Sequence, residues 1–156
     1  MFRWPDGAII PTPFSNWGLD QPNNEGGLQH CMSLTVVPIS GVQPGEWADR
    51  ACDTESKPFI CDPPATGGPS SPGCVEQVVF GRRRFLCANA ATYSAAIGVC
   101  AADGGQLVRV RSAAENDAIL QVAPTITSST IWLGGTDQVE EGVWRWPDGG
   151  IFEVVP

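Results

Sequence analysis

Residues 131–135 read Ile-Trp-Leu-Gly-Gly, and residues 144–149 read Trp-Arg-Trp-Pro-Asp-Gly. The first run is continuously apolar, which is typical of a buried strand. In the second, two alternating tryptophans precede a Pro-Asp-Gly turn, which predicts a strand that ends in that turn. The same Arg-Trp-Pro-Asp-Gly also occurs at residues 3–7. This strand-and-turn unit is therefore present twice, and the copies are separated by about one domain and a linker.

A stretch without large apolar side chains divides the chain into two blocks. Residues 63–73 read Pro-Pro-Ala-Thr-Gly-Gly-Pro-Ser-Ser-Pro-Gly, a composition typical of an extended linker. Residues 1–62 and residues 74–156 are therefore predicted to be two separate segments.

Helical signals are confined to the second block. Thr92 is a suitable N-cap for a helix over residues 93–102, and Ser112 with Glu115 forms a capping box before a helix over residues 116–122. Further short strands are predicted at residues 31–34, 46–49, 59–61 and 107–110.

Three consecutive arginines, Arg82 to Arg84, form the one strongly basic stretch of the chain. They lie between Val78-Val79-Phe80 and Phe85-Leu86, two short apolar runs that favour a hairpin. The arginines are therefore interpreted as the solvated tip of that hairpin, with a phosphate clamp as the alternative.

The bulk composition excludes several classes of protein. The chain has 156 residues, of which 42% are hydrophobic and 17% charged, as in a globular domain. Its net charge of -8 argues against sequence-independent binding of nucleic acid, which requires a basic surface. No run approaches the roughly 18 apolar residues of a membrane span, and no segment has the pattern of a signal peptide.

The cysteines indicate the compartment. There are six, and none is part of a C-x-x-C pair, so their spacing does not favour a zinc site. An even number in a chain rich in glycine and proline is typical of a disulfide framework, which predicts an extracellular or cell-surface location.

The order of these features resembles the C-type lectin domain family. The second block is similar to the N-terminal half of that domain, with its hairpin, a helix that carries Cys100, the sequence Gly-Gly-Gln-Leu-Val at residues 104–108, a Ser-x-x-Glu helix and Trp-Leu-Gly-Gly at residues 132–135. The first block is similar to the C-terminal half. Its matching segments are Trp-Pro-Asp-Gly at 4–7, Phe-Ser-Asn-Trp at 14–17, Gln-Pro-Asn-Asn at 21–24, Trp-Ala-Asp at 47–49 and Phe-Ile-Cys at 59–61.

This resemblance implies an α+β, C-type lectin-like fold with two helices, short antiparallel strands and a long loop over residues 8–30. Residues 1–62 would be the C-terminal half of a domain and residues 74–156 the N-terminal half, in permuted order. The halves are expected to fold together as one circularly permuted domain, because the termini of such a domain lie close together. The alternatives are a stretch that spans two domains of a tandem array, or a dimer whose chains exchange halves.

The family pattern also implies the disulfides. Cys31 pairs with Cys52 at the base of the long loop, and Cys74 pairs with Cys87 across the hairpin. Cys61 and Cys100 remain, and in this chain they can bond only to each other or to another molecule.

Sugar-binding members of the family hold calcium on the long loop, and sugar hydroxyls complete the shell of the ion. By motif match, the calcium and carbohydrate ligands are Gln21 and Asn23 around Pro22, then Gln29, then Asp49. A cis peptide bond before Pro22 would aim its two neighbours at the ion. Trp17, also on the loop, is equally suited to the core and to stacking on a sugar.

The sequence departs from the family pattern in ways that weaken calcium binding. Glutamines occupy the two glutamate positions, and Ala48 stands where the family has asparagine. Calcium affinity falls with the charge and number of its ligands, so the expected dissociation constant is about 1 mM or weaker.

The leading hypothesis is a binding module for a glycan or a cell-surface glycoconjugate, with a weak or degenerate calcium site. The alternative is a calcium-independent module that binds a protein or has a structural role. Enzyme activity is not expected, because His30 is the only histidine and is interpreted as a plain strand residue. Asp6 and Asp148 lie in turns rather than as a catalytic carboxylate pair.

Overall fold

The computed structural model describes residues 14–152. The first Arg-Trp-Pro-Asp-Gly copy at residues 3–7, which includes Trp4 and Asp6, lies outside this range, as does the start of the long loop. Within the described residues there are two α-helices, α1 (Tyr93–Ala102) and α2 (Ala113–Val122), and one-turn 3-10 helices at Glu25–Gly27 and Ala123–Thr125.

The strands of both blocks join in one sheet. In the described part of the chain they are β1 (Gln29–Thr35), β2 (Trp47–Ala51), β3 (Lys57–Asp62), β4 (Cys74–Val79), β5 (Arg82–Ala91), β6 (Gln106–Leu107), β7 (Thr130–Thr136), β8 (Trp144–Arg145) and β9 (Ile151–Phe152). The main order is β2-β1-β7-β3-β5-β4, with β6 beside β3, and β8 between β7 and β9. First-block strands β1 and β3 thus flank second-block strand β7.

The sheet is mixed rather than wholly antiparallel. Strand β3 runs parallel to β7 with Phe59 opposite Trp132, whereas the other strand pairs are antiparallel. The expectation of antiparallel strands alone is therefore wrong for this pair. Strand β6 is also shorter than predicted, because only Gln106 and Leu107 of this segment pair with β3.

The two helices begin where their caps predict. The Thr92 side chain accepts from the Ala95 amide at 3.3 Å, and Ser112 Oγ accepts from the Glu115 amide at 3.1 Å. The capping box of α2 is only half formed, because Glu115 Oε1 accepts from the Arg111 amide at 2.8 Å. Glu115 Oε1 therefore accepts from the residue before the cap rather than from the cap itself. Glu115 Oε2 accepts instead from the Arg84 side chain.

The prediction that Arg82 to Arg84 form a hairpin tip is wrong. The turn is the two-residue Phe80-Gly81, and both residues have positive φ, 54° and 69°. Turns of this kind match the twist of the strands they join. The arginines consequently lie in β5, where Arg82 is opposite Val79. Arg84 is fully buried, so it is not a solvated residue.

The core is rich in tryptophan and draws on both blocks. Trp47 from the first block packs against Trp146 from the second with ring centroids 5.7 Å apart, and its Nε1 donates to Asn116 Oδ1 at 2.9 Å. Trp132 and Trp144 are also buried. A Cβ at Gly135 would lie 2.0 Å from the terminal methyl group of Met32, so a larger residue here would displace that side chain.

Three disulfides tie the sheet and helix α1 together. They are Cys31–Cys52, Cys61–Cys100 and Cys74–Cys87. The first and the last are the pairs that the family resemblance implies, and Cys61 with Cys100 forms one of the two alternatives left open for them. Each typically stabilises a small domain by about 2–4 kcal/mol. Only Cys61–Cys100 connects one block with the other.

Candidate functional site

The long loop is anchored on strand β2. The Gly18 amide donates to the Trp47 carbonyl at 2.9 Å, and the Trp47 amide donates to the Asn16 carbonyl at 2.9 Å. The Asn16 side chain donates to the Gly45 carbonyl at 2.7 Å. These bonds fix the stem of the loop, so the residues beyond Gly18 project from a rigid base.

Trp17 lies in the aromatic core rather than on the surface of the loop. Its ring centroid is 4.7 Å from that of Trp144 and 6.0 Å from that of Trp47. Its Nε1 is buried and has no acceptor among residues 14–152. Trp17 is half-buried and therefore holds the loop against the core.

Asp49 lies beneath the loop. It is fully buried, and its two carboxylate oxygens accept from the backbone amides of Asn23 and Asn24 at 3.0 and 2.6 Å. Burial raises the pKa of Asp49 above its ordinary value; these amides oppose the rise, and the nearby charge of Asp137 adds to it. A cation at this position would lower the pKa by stabilising the charged carboxylate.

The predicted amide ligands converge on the same loop. Asn23 Oδ1 and Gln29 Oε1 both accept from the Glu25 amide, at 3.2 and 3.1 Å. Gln21 Oε1 is buried and has no donor within the described residues. The bond between Gln21 and Pro22 is cis. Asn23, Gln29 and Asp49 are thus brought together around the loop. Within residues 14–152 no hydrogen bond joins the Gln21 side chain to them, and Trp17 stands apart in the core.

These residues offer a cation few free oxygens. Gln21 Oε1 lacks a donor within residues 14–152, but Asn23 Oδ1 and Gln29 Oε1 both accept from one N–H group. Asp49 is the one carboxylate of the predicted set, and backbone amides already occupy both of its oxygens. Ala48 provides no side-chain oxygen. Low ligand charge and occupied oxygens both weaken calcium binding.

A second group of ligand atoms lies beside the loop. His30 Nδ1 is 3.0 Å from Asp137 Oδ1 and 3.1 Å from Glu141 Oε2, and we call these three residues the carboxylate cluster. Asn24 connects it to the loop by donating to Glu141 Oε1 at 2.8 Å. A cavity of about 260 Å³ lies between Asp49 and the two carboxylates of the cluster. Negative charge is therefore concentrated at this end of the domain.

The carboxylate cluster could not be predicted from local sequence patterns. His30 is a strand residue, as predicted, but its ring also contacts Asp137 and Glu141, which the interpretation as a plain strand residue missed. Asp137 directly follows β7, and Cys31 pairs with Thr136 at the end of that strand. Only the pairing of β1 with β7 would have predicted that His30 contacts Asp137. That pairing joins positions more than a hundred residues apart in the sequence.

Comparison with known protein families gives a match for the second block. The model described as Lectin C-type domain matches residues 89–155. This range includes α1, α2, β7 and the Trp-Arg-Trp-Pro-Asp-Gly segment. No solved structure gave a significant match.

The curated relatives include two that are lectins by name and a third that is a C-type receptor. Ladderlectin of Oncorhynchus mykiss is 35% identical over 77 residues, which are 47% of this chain and 40% of ladderlectin. C-type lectin lectoxin-Lio3 of Erythrolamprus poecilogyrus is 37% identical over 65 residues, 42% of this chain and 36% of the relative. C-type mannose receptor 2 of Homo sapiens is 27% identical over 158 residues, 95% of this chain but 10% of the receptor. The chain thus spans about two fifths, or less, of the relatives it matches.

The family match and the relatives support a C-type lectin-like module with an α+β fold. They also point to a protein without enzyme activity. The three disulfides fit an extracellular location. Neither helix of residues 14–152 has the length and apolar character needed to cross a bilayer.

Proposed function

We propose that the chain is a carbohydrate-binding, C-type lectin-like module whose long loop binds a glycan or glycoconjugate, with a weak calcium site. Gln21, Asn23, Gln29 and Asp49 are the proposed ligands of sugar and ion, and Trp17 anchors the loop that carries them. One observation carries the proposal: Asp49 meets Asn23 and Gln29, which precede it by 20 residues or more, around the Asn23–Glu25 backbone.

The chemistry of the loop suits neutral sugar hydroxyls. Amide side chains both donate and accept hydrogen bonds, so each can bond to a sugar hydroxyl either as donor or as acceptor. Asn23 is exposed and Gln29 half-buried, so both can reach a ligand. A calcium ion would supply positive charge for two hydroxyls and for Asp49. This chain's own residues orient the sugar.

A glycan array with the intact chain tests the proposal. The array is run with calcium and with a chelator, using wild type, the Asn23→Ala/Gln29→Ala double variant and a matched control, Gln77→Ala/Gln121→Ala, which removes two exposed amides elsewhere. We expect a chelator-sensitive glycan signal that the loop variant loses and the control retains. Absence of any glycan signal for wild type in either condition would exclude the proposal.

A protein-binding role is the second candidate, and one observation favours it. Leu19 and Leu28, which flank Gln21 and Asn23 in the sequence, are 81% and 71% exposed. Two large exposed apolar side chains on one loop would suit a contact with another protein. A loop whose oxygens are already bonded to its own backbone could serve such a contact without calcium. An array without signal, together with a protein ligand whose binding is lost in Leu19→Ser/Leu28→Ser, would favour this candidate.

We also propose that residues 1–62 and 74–156 correspond to the C-terminal and N-terminal halves of C-type lectin domains. The sharing of one sheet and of Cys61–Cys100 supports a single permuted domain. The match to C-type mannose receptor 2 over 95% of this chain and 10% of the receptor supports the same order of segments in a longer relative. Light scattering with a disulfide map separates the arrangements, because exchanged halves give a dimer whose Cys61–Cys100 bonds join two chains.

A further inference from the structure

A buried glutamate forms the centre of an arginine network remote from the long loop. Glu115 is 1% exposed and lies 3.0 Å from the Nη2 of Arg84. Arg82 and Arg111 approach the same carboxylate, each at 3.8 Å. One carboxylate is therefore shared by three guanidinium groups.

The carboxylate of Asp62 does not fully neutralise the three arginines around Glu115. Asp62 Oδ1 is 3.1 Å from Arg84 Nη1, but the pair is not aligned as a hydrogen bond. Both Nη1 and Nε of the fully buried Arg84 consequently lack a hydrogen-bond acceptor in the described part of the chain. The network holds three positive charges against two negative ones, in a chain whose net charge is -8. Such an excess beside buried groups favours an anionic ligand.

Two of these arginines have hydrogen-bond donors to offer. At 3.8 Å, the contacts of Arg82 and Arg111 with Glu115 are longer than hydrogen bonds. The N–H groups of both side chains therefore remain available among residues 14–152. Both side chains are also reachable, because they are 54% and 38% exposed.

The available donors line a cleft. Arg82 and Arg111 form its walls with Arg83 and Arg109, and its volume is about 340 Å³, within the range of small-molecule sites. We call it the arginine cleft. Arg83 is already bonded to Glu76 and to the Pro64 and Gly67 carbonyls, and Arg109 is paired with Asp148. The cleft shares no lining residue with the cavity beside the long loop.

The other residues that line the arginine cleft indicate which groups, besides an anion, its ligand contains. Pro63, Pro64 and Pro147 provide apolar surface, and Gln106 provides an amide. Asp62 and Asp148 also line the cleft and would accept hydrogen bonds from hydroxyls while repelling a long polyanion. A single anionic group attached to a hydroxylated ring matches this mixture better than a nucleic-acid backbone does.

We propose that the arginine cleft binds a sugar that carries one sulfate or phosphate ester, with Arg82 and Arg111 as the ligands of the ester oxygens. The planar guanidinium fork matches such tetrahedral oxyanions and forms charge-assisted hydrogen bonds with them. The ester could come from a sulfated glycan or a phosphorylated sugar, which share this chemistry. The site uses neither the long loop nor calcium.

Titration calorimetry of the intact chain tests the proposal, with chelator present so that a calcium-dependent loop site cannot contribute. The probes are glucose 6-sulfate, glucose 6-phosphate, glucose and a single-stranded deoxyoligonucleotide. The variant is Arg82→Gln/Arg111→Gln, and the control is Arg50→Gln/Arg145→Gln, which removes two positive charges outside the cleft. Thermal melting of each variant checks that it folds.

We expect at least one ester to bind and glucose not to bind. The cleft variant should weaken ester binding by about tenfold or more, and the control by less than about twofold. The preferred ester identifies the source, a sulfated glycan or a phosphorylated sugar. Failure of both esters to bind wild type, or an equal loss in the control variant, overturns the proposal. So does tighter, cleft-dependent binding of a single-stranded deoxyoligonucleotide, which would assign the cleft to nucleic acid. None of these outcomes depends on the glycan array for the loop.

Discussion

The arginine cleft and the carboxylate cluster carry opposite charge imbalances. Beside the cleft, Arg82, Arg84 and Arg111 share the two carboxylates of Glu115 and Asp62. At the cluster, Asp137 and Glu141 share His30, and Asp49 adds a further negative charge close by. Arg84 and Glu115 are both fully buried, whereas Glu141 is 57% exposed.

This difference in burial indicates which charged groups stabilise the fold and which can bind a ligand. A buried pair cannot lose one partner without leaving an uncompensated charge in the interior. A half-exposed group is solvated by water and its loss costs little. Arg84 and Glu115 are therefore structural, and the exposed members of both groups are available to ligands.

The largest effect should follow from removing Arg84. Arg84→Met leaves the buried Glu115 with the Arg111 amide and the longer contacts from the Arg82 and Arg111 guanidinium groups. The free energy of unfolding should therefore fall by about 3–5 kcal/mol. Urea denaturation measures the loss. Arg50→Met, on the half-buried Arg50, is the control and should change stability by less than about 0.5 kcal/mol. A loss below about 1 kcal/mol in Arg84→Met would show that this pair is not structural.

A smaller loss of folding stability is expected at Asp49, beside the carboxylate cluster. Asp49→Ala removes the acceptor of the Asn23 and Asn24 amides, which should cost about 1–3 kcal/mol in urea denaturation. Asp49→Asn keeps one acceptor oxygen and should lose less than Asp49→Ala. Equal losses in the two variants would indicate that charge, not hydrogen bonding, holds the loop.

The pH dependence of stability sharpens the comparison further. Burial raises the pKa of folded Asp49, so between the unfolded value and this higher pKa the folded state holds a proton that the unfolded state has lost. The contribution of Asp49 to the free energy of unfolding therefore falls as the pH rises through that interval. The interval begins at about pH 4, the pKa of an unperturbed aspartate. Wild type minus Asp49→Asn, measured by urea denaturation across this range, isolates the contribution. A difference that increases with pH in the absence of cations would contradict the assignment.

The smallest effect is expected at Glu141. It accepts from Asn24 and contacts His30, but it is largely exposed. Glu141→Gln should change the free energy of unfolding by no more than about 0.5 kcal/mol. Thermal and urea denaturation check this, with Glu140→Gln as the neighbouring control. A loss above about 1.5 kcal/mol would mean that the carboxylate cluster is structural, like the Arg84–Glu115 pair.

Local signals predicted much of the fold. The caps at Thr92 and Ser112 mark the true helix starts, and the apolar run at residues 131–135 lies in β7. These features depend on neighbours a few residues away, so the sequence contains the relevant information. The parallel pairing of β3 with β7 depends on the whole sheet and was not predicted.

The candidate site was only partly predictable for the same reason. Asn23, Gln29 and Asp49 were recognised by motif, but the carboxylate cluster required a pairing between distant strands. The arginine triplet shows how a local interpretation fails. A two-residue turn at Phe80-Gly81 shifts Arg84 into the core, where helix α2 supplies Glu115 from another part of the sequence.

Cys61–Cys100 spans the residue 63–73 segment. A protease that cuts once inside that segment would yield two fragments that migrate as one species without reductant and as two with it. Backbone continuity is thus dispensable there, because the covalent path between the fragments runs through sulfur. Such a nicked form would keep its strands paired across the sheet and remain a single folded particle.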